Sequence, residues 1–126
     1  MVLRLIPKDW FKAKKPVPFG RIAFEPHTED VDGISLYRER WVSAIRLDAS
    51  RPKSGNFYVG RLKVRDIYGQ GLTLVRNVGV LPGHVVIPEL SIEAYPRNKQ
   101  KLNEIVVKLC TFAGQDIVLE PRSLNK

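Results

Sequence analysis

His27 and His84 are the two imidazoles of this chain, and each stands among residues able to share a ligand or a reaction. Glu25, His27 and Asp30 spell E-x-H-x-x-D within a polar stretch. Carboxylates and an imidazole at that spacing are donors for zinc or a harder cation. Three such groups without fixed geometry describe an acidic loop equally well, so no metal and no cofactor is assigned. His84 follows Pro82-Gly83 and opens an apolar run. It is a general acid or base if Ser35, Tyr37 or an arginine converges on it. Otherwise it ends a strand and hydrogen-bonds locally.

A second set of residues suggests binding. From Phe57 to Ile67, β-branched and aromatic residues recur with period two, which predicts a strand. Phe57, Val59, Arg61, Lys63 and Arg65 would share one face, and Tyr58, Gly60, Leu62 and Val64 the other. Side chains two apart on a strand are about 6.6 Å apart, close to the phosphate spacing of a nucleic-acid strand. A basic ladder ending in Phe57 can therefore follow a backbone while the ring stacks on a base. It can equally be the wet face of a half-exposed strand. Lys12, Lys14 and Lys15 form another cationic segment among three prolines. Arg97, Lys99 and Lys101 crowd the start of an expected helix, where the macrodipole disfavours cations and favours a bound anion. Glu93 can offset that charge.

The elements that must carry these residues follow from periodicity. Arg21–Glu25 and Gly33–Arg38 read as short strands, and Asp9–Ala13 as a helical turn. About Glu39–Leu47 reads as a short helix. Leu72–Arg76 would pair with the Phe57 strand across Tyr68-Gly-Gln-Gly71. His84–Ile87 and Ile117–Leu119 complete the strands. Pro96–Ala113 is the clearest helix, with Leu102, Ile105, Val106, Leu109, Phe112 and Ala113 on one stripe. Pro96 suits a first turn and Gly114 a C-cap. The pattern predicts one α+β domain over residues 1–126, a mainly antiparallel sheet packed against a C-terminal helix. Leu62, Val64, Val86, Leu102, Ile105, Leu109 and Phe112 are its expected core. Trp10, Phe11, Phe19 and Phe24 are also assigned to packing rather than to an exposed aromatic surface.

The 126 residues carry twenty-one Lys and Arg against thirteen Asp and Glu, a net charge of +8. Residues 1–22 hold six basic residues against one acidic, and residues 34–65 hold eight against two. Between them, residues 23–33 hold four acidic residues and no basic one. A basic chain points to nucleic acid first, then to an acidic protein or an anionic surface. Cys110 is the single cysteine, which excludes an internal disulfide and reads as a buried small side chain. The segment Met1–Ile6 is too short for a signal-peptide core, and no run approaches the ~18 apolar residues of a membrane span. The expectation is a cytoplasmic protein that does not enter a membrane. Gly69-Gln-Gly71 lacks the context of a phosphate loop, and no nucleophile elbow occurs.

Four ordered segments resemble a family of small bacterial cytoplasmic proteins with no assigned activity. They are Arg4-Leu-Ile-Pro-Lys-Asp-Trp10, Ile22-Ala-Phe24-Glu-Pro26, Asp32-Gly33-Ile-Ser35-Leu-Tyr37-Arg38 and Gly83-His84-Val-Val-Ile-Pro88. The resemblance covers about residues 3–90 and implies a compact bacterial protein. It draws attention to Ser35, Tyr37 and His84, and it leaves the cationic helix start outside.

Three functions follow. The first is a non-enzymatic protein contacting RNA, DNA or a nucleoprotein through Arg61, Lys63, Arg65 and the Lys12–Lys15 segment. The second is a protein-interaction component of a toxin–antitoxin or defence pair, with an acidic protein partner. The third is a small enzyme on a phosphate-containing substrate, with His84 as acid/base and an arginine stabilising charge. Oligomeric state is not legible.

Overall fold

A computed structural model describes residues 1–10, 19–79 and 81–122. These residues form an α+β unit around one six-stranded antiparallel sheet, ordered β4-β5-β2-β1-β3-β6. The strands are β1 (Val2–Pro7), β2 (Ile34–Arg38), β3 (Phe57–Leu62), β4 (Val75–Arg76), β5 (His84–Ile87) and β6 (Ile117–Leu119). The helices are α1 (Ala44–Ala49), α2 (Val64–Gly69), α3 (Ala94–Arg97) and α4 (Lys99–Gln115).

β1 lies near the centre and, apart from buried Arg4, is apolar on both faces, as a strand covered on both sides must be. Val2 and Ile6 face the main core, while Leu3 and Leu5 face a smaller cluster behind the sheet. Its opening segment carried no strand expectation, because continuous burial erases the alternation that marks a half-exposed strand.

The α4 stripe packs on the first face. Leu102, Val106, Leu109, Cys110 and Ala113 are buried there, each apolar side chain stabilising the fold by about 1.5–3 kcal/mol if fully covered. α4 comes close to the sheet at Gly60 of β3, where an added Cβ would stand 2.8 Å from the Ala113 Cβ. Burial pushes the Cys110 thiol up to about 12, so it packs as a neutral side chain. Phe19 and Phe24 join this core. Leu62, Val86, Leu102 and Leu109 are buried as expected. Val64, Ile105 and Phe112 are half-buried at its margin.

The second face carries α1 and the smaller cluster of Leu3, Tyr37, Val42, Leu47 and Val59. The Ser43 hydroxyl caps α1 by accepting from the Arg46 N–H at 3.2 Å. Buried Asp48 then orders the following loop: it accepts from the Gly55 N–H at 3.0 Å and the Ser54 hydroxyl at 3.0 Å.

Several expected elements take a different form. β3 stops at Leu62, and Val64–Gly69 coils into α2, so no hairpin spans Tyr68–Gly71. Arg21–Ala23 is a 3-10 turn rather than a strand. The helix expected from about Glu39 starts at Ala44, after the Ser43 cap. The Leu72–Arg76 strand contracts to Val75–Arg76. The long helix runs to Gln115, through Gly114, and Pro96 lies in the separate turn α3. Lys8–Trp10 forms a 3-10 turn, and the rest of the expected Asp9–Ala13 turn lies outside the described residues.

Candidate functional site

The expected cationic ladder depends on a strand that continues past Leu62, and the early end of β3 dismantles it. Arg61 remains on the strand, but its Nε donates to Asp116 Oδ2 at 2.8 Å and its Nη1 reaches Glu39 at 3.5 Å. The hydrogen bond to Asp116 raises its pKa and holds the guanidinium against a carboxylate. Lys63 is the exposed residue before α2, and Arg65 lies exposed within α2. Phe57 is half-buried and lines a cleft instead of ending a ladder. Lys12, Lys14 and Lys15 lie outside the described residues. At the start of α4, Arg97 pairs with Glu93 at 3.0 Å on an exposed surface, and Lys99 and Lys101 are exposed.

The metal candidates are occupied locally. Glu25 accepts from the Tyr95 hydroxyl at 2.9 Å, and burial, helped by that bond, pushes the phenol up to about 12. Asp30 accepts from the His27 backbone N–H at 2.8 Å. The His27 ring stacks on Trp10, with centroids 4.8 Å apart. Among the described residues no group of three His, Cys, Asp or Glu side chains is gathered to hold a metal ion.

A different basic surface forms where β2, β4 and β5 meet the Pro82-Gly83 turn. Arg38, Arg76, Asn77, Leu81, Gly83 and His84 line a groove of about 380 Å³. Among the described residues its charged lining is entirely basic or imidazole. Asp32, the acid held by the Asn77 amide at 3.2 Å, is not part of that lining. Arg38 Nε is buried and has no acceptor among the described residues. The Arg38 guanidinium lies 5.7 Å from the centre of the Trp41 ring, which is 52% exposed. Gly83 brings them together: at φ +85° its backbone donates no bulk toward Trp41, and a Cβ there would meet the Trp41 Cβ at 2.8 Å. Its carbonyl accepts from the Arg38 N–H at 2.9 Å.

Ser35, Tyr37 and His84, expected as a convergent set, do meet. β2 pairs with β5 so that Tyr37 faces His84 and Ser35 faces Val86. Ser35 and His84 therefore lie one diagonal step apart on the same face, and His84 Nε2 is 2.9 Å from Ser35 Oγ. The Tyr37 and His84 rings are 5.1 Å apart. The Tyr37 hydroxyl accepts from Arg51 Nη2 at 3.2 Å. Burial lowers the His84 pKa below its usual 6.5, opposed by the carbonyls of Asn77 and Val78.

Beside this cluster β1 and β2 part. Their ladder holds only Val2↔Arg38 and Leu3↔Tyr37. Beyond it, buried Arg4 donates from Nη1 to the Ser35 carbonyl at 2.9 Å and from Nε to the Ala23 carbonyl at 2.9 Å. Desolvation lowers the Arg4 pKa, with Asp30 the leading opposing charge. The parted strands open a cleft of about 200 Å³ whose walls include Arg4, Ser35, Tyr37, Arg51, Trp10 and Phe57.

Arg38, Trp41, Arg76, Arg4 and Arg51 were not singled out from sequence. The available signal was the cluster Tyr37-Arg38-Glu39-Arg40-Trp41, which joins cations to an aromatic beside a strand end. Arg76 carried no signal of its own, because only the pairing of β4 with β5 brings it to the groove. No helix among the described residues is long and apolar enough to cross a membrane. No family model, no curated protein and no solved structure matches the chain, so what the site does is read from its own side chains.

Proposed function

We propose that the chain binds single-stranded nucleic acid, with the phosphate backbone in the Arg38–Arg76–His84 groove and a base stacked on Trp41. The observation that carries this reading is a groove whose charged lining, among the described residues, holds no carboxylate, set beside a half-exposed indole. Non-specific single-strand binders combine those two features: cations that follow the backbone and an aromatic platform that accepts any base. The net charge of +8 supports it by drawing a polyanion to the surface. No carboxylate among the described residues lines the groove beside the half-buried Arg38 guanidinium, so a phosphate there would supply a charge-assisted acceptor.

The test is fluorescence anisotropy with a labelled single-stranded 12-mer of RNA and of DNA, titrated from 50 to 300 mM NaCl. Binding should weaken linearly on a log–log plot, with a slope near −0.7 for each phosphate neutralised. Arg38→Ala/Arg76→Ala should lose on the order of a hundredfold in affinity at low salt, about 1.5 kcal/mol for each charge-assisted bond. Binding that is absent at 50 mM, or unchanged in the double variant, refutes the proposal. Absence would turn attention to an acidic protein as the groove's occupant.

A further inference from the structure

His84 lines the groove, but its contact with Ser35 plays no part in the nucleic-acid reading and points to chemistry. A serine hydroxyl is a weak nucleophile unless a base within hydrogen-bond reach takes its proton. His84 Nε2 stands 2.9 Å from Ser35 Oγ, within that reach. The imidazole is also held in place. Tyr37 packs against it, and at Gly79 an added Cβ would stand 2.9 Å from the His84 Cβ and Cγ. Only a residue without a side chain leaves the ring this position. On the far side of the ring Nδ1 is buried and has no hydrogen-bond partner among the described residues, so packing alone orients the imidazole. In the tautomer with its proton on Nδ1, the Nε2 lone pair accepts from the Ser35 hydroxyl, the arrangement a base requires. Burial keeps the imidazole neutral near pH 7, the form a base requires.

Ser35 also has access to a ligand. It is half-buried and lines the cleft between β1 and β2. Leu5, Pro7 and Phe57 give that cleft an apolar wall, and Glu29 and Asp30 place carboxylates at it. Those two acids offset the charges of Arg4 and Arg51 at the same cleft, so it offers a phosphate dianion no net attraction, whereas an uncharged acyl group suits its apolar wall. Arg4 and Arg51 bring two guanidiniums to the same cleft, where negative charge developing on a carbonyl oxygen can be stabilised.

We infer that Ser35 and His84 form a nucleophile–base pair that takes an acyl group from a small carboxylic ester and passes it to water. Ser35 Oγ bonds to the ester carbonyl carbon while its proton moves to His84 Nε2. The bond from that carbon to the alcohol oxygen breaks, and His84 returns the proton to the departing alcohol. Water then attacks the acyl-serine, its proton going to His84 and on to Ser35 Oγ, which releases the carboxylic acid. No oxidant or reductant is needed.

The experiment is covalent labelling of the full chain with a biotinylated fluorophosphonate, which serine attacks with loss of fluoride, followed by peptide mapping. It is run in 1 M NaCl, where phosphate contacts in the groove are screened, so failure here is distinct from failure of nucleic-acid binding. The expected adduct is on Ser35, and His84→Asn should slow labelling by about a hundredfold or more. The rate for the parent chain should rise with pH through a midpoint below 6.5, as His84 loses its proton. Burst release of p-nitrophenol from p-nitrophenyl acetate should match the labelled fraction and vanish in Ser35→Ala. Mapping the parent chain decides the matter even if a variant fails to fold. No adduct on the folded parent, an adduct on another residue, or equal rates in folded His84→Asn would each overturn the inference and leave the contact a cross-strand hydrogen bond.

Discussion

The β3–α2 stretch and the β2–β5 groove offer similar charge and opposite electrostatics. Arg61, Lys63 and Arg65 look like a recognition surface in sequence, yet the fold gives Arg61 two carboxylates, ends the strand before Lys63 and places Arg65 on a helix. Arg38 and Arg76 lie 38 residues apart and form no pattern, yet they share one groove whose described lining contains no acid. Local cation count therefore overstates the first region and misses the second. A phosphate arriving at Arg61 must displace Asp116, whereas one arriving at Arg38 meets an indole and a groove whose described lining holds no carboxylate.

The sharpest way to break this contrast is at Gly83. Gly83→Val forces a side chain into φ +85° and against the Trp41 Cβ, which should cost about 2–4 kcal/mol from backbone strain and overpacking. Urea unfolding should show that loss, and binding by the surviving folded protein should fall with it. A variant as stable as the parent would mean that the groove's floor is softer than described. Trp41→Ala comes next, with an expected loss of about 1–3 kcal/mol in single-strand affinity and little change in salt slope, because stacking releases no counterions. An unchanged affinity would remove the base-stacking half of the reading. Arg61→Ala/Lys63→Ala/Arg65→Ala should change affinity by less than about threefold, with only a small loss of stability from the Arg61 ion pairs, because solvent screens them. A loss comparable to that of Arg38→Ala/Arg76→Ala would invert the comparison.

The smallest effect is the pH dependence of His84. Its folded pKa lies below its unfolded value near 6.5, so the unfolded chain binds the proton more readily. The stability it contributes is full above 6.5 and is lost as pH falls through the folded value. Urea midpoints between pH 7.5 and 5 should therefore decline more steeply for the parent than for His84→Asn. Nucleic-acid affinity should move the other way, rising a few-fold at low pH as His84 becomes cationic.

The outcome of the sequence reading follows from which contacts are local. The α4 stripe is visible because five turns of one helix repeat the same spacing, and Leu102, Val106 and Leu109 are buried as that spacing requires. The end of β3 is hidden because Val64 and Ile67 extend an apolar pattern across Lys63 that a strand and a helix both satisfy. No side-chain cap marks the start of α2, so the usual signal for the switch is missing. Ser35, Tyr37 and His84 could be chosen as candidates by residue type, but their meeting depends on the β2–β5 register, which a shift of one residue would reverse. Arg4 in the gap between β1 and β2 is least legible, because its partners are backbone carbonyls and any residue supplies those.

The outermost strands have a consequence for how this molecule behaves in a crowd. β4 spans two residues and β6 three, so the sheet ends on both sides in strands too brief to template a neighbour. A passing chain could add only a few ladder bonds at either margin. Self-association by edge-to-edge zippering is thereby disfavoured, and a concentrated solution should stay free of fibrils even though exposed Val75 sits on one of those margins.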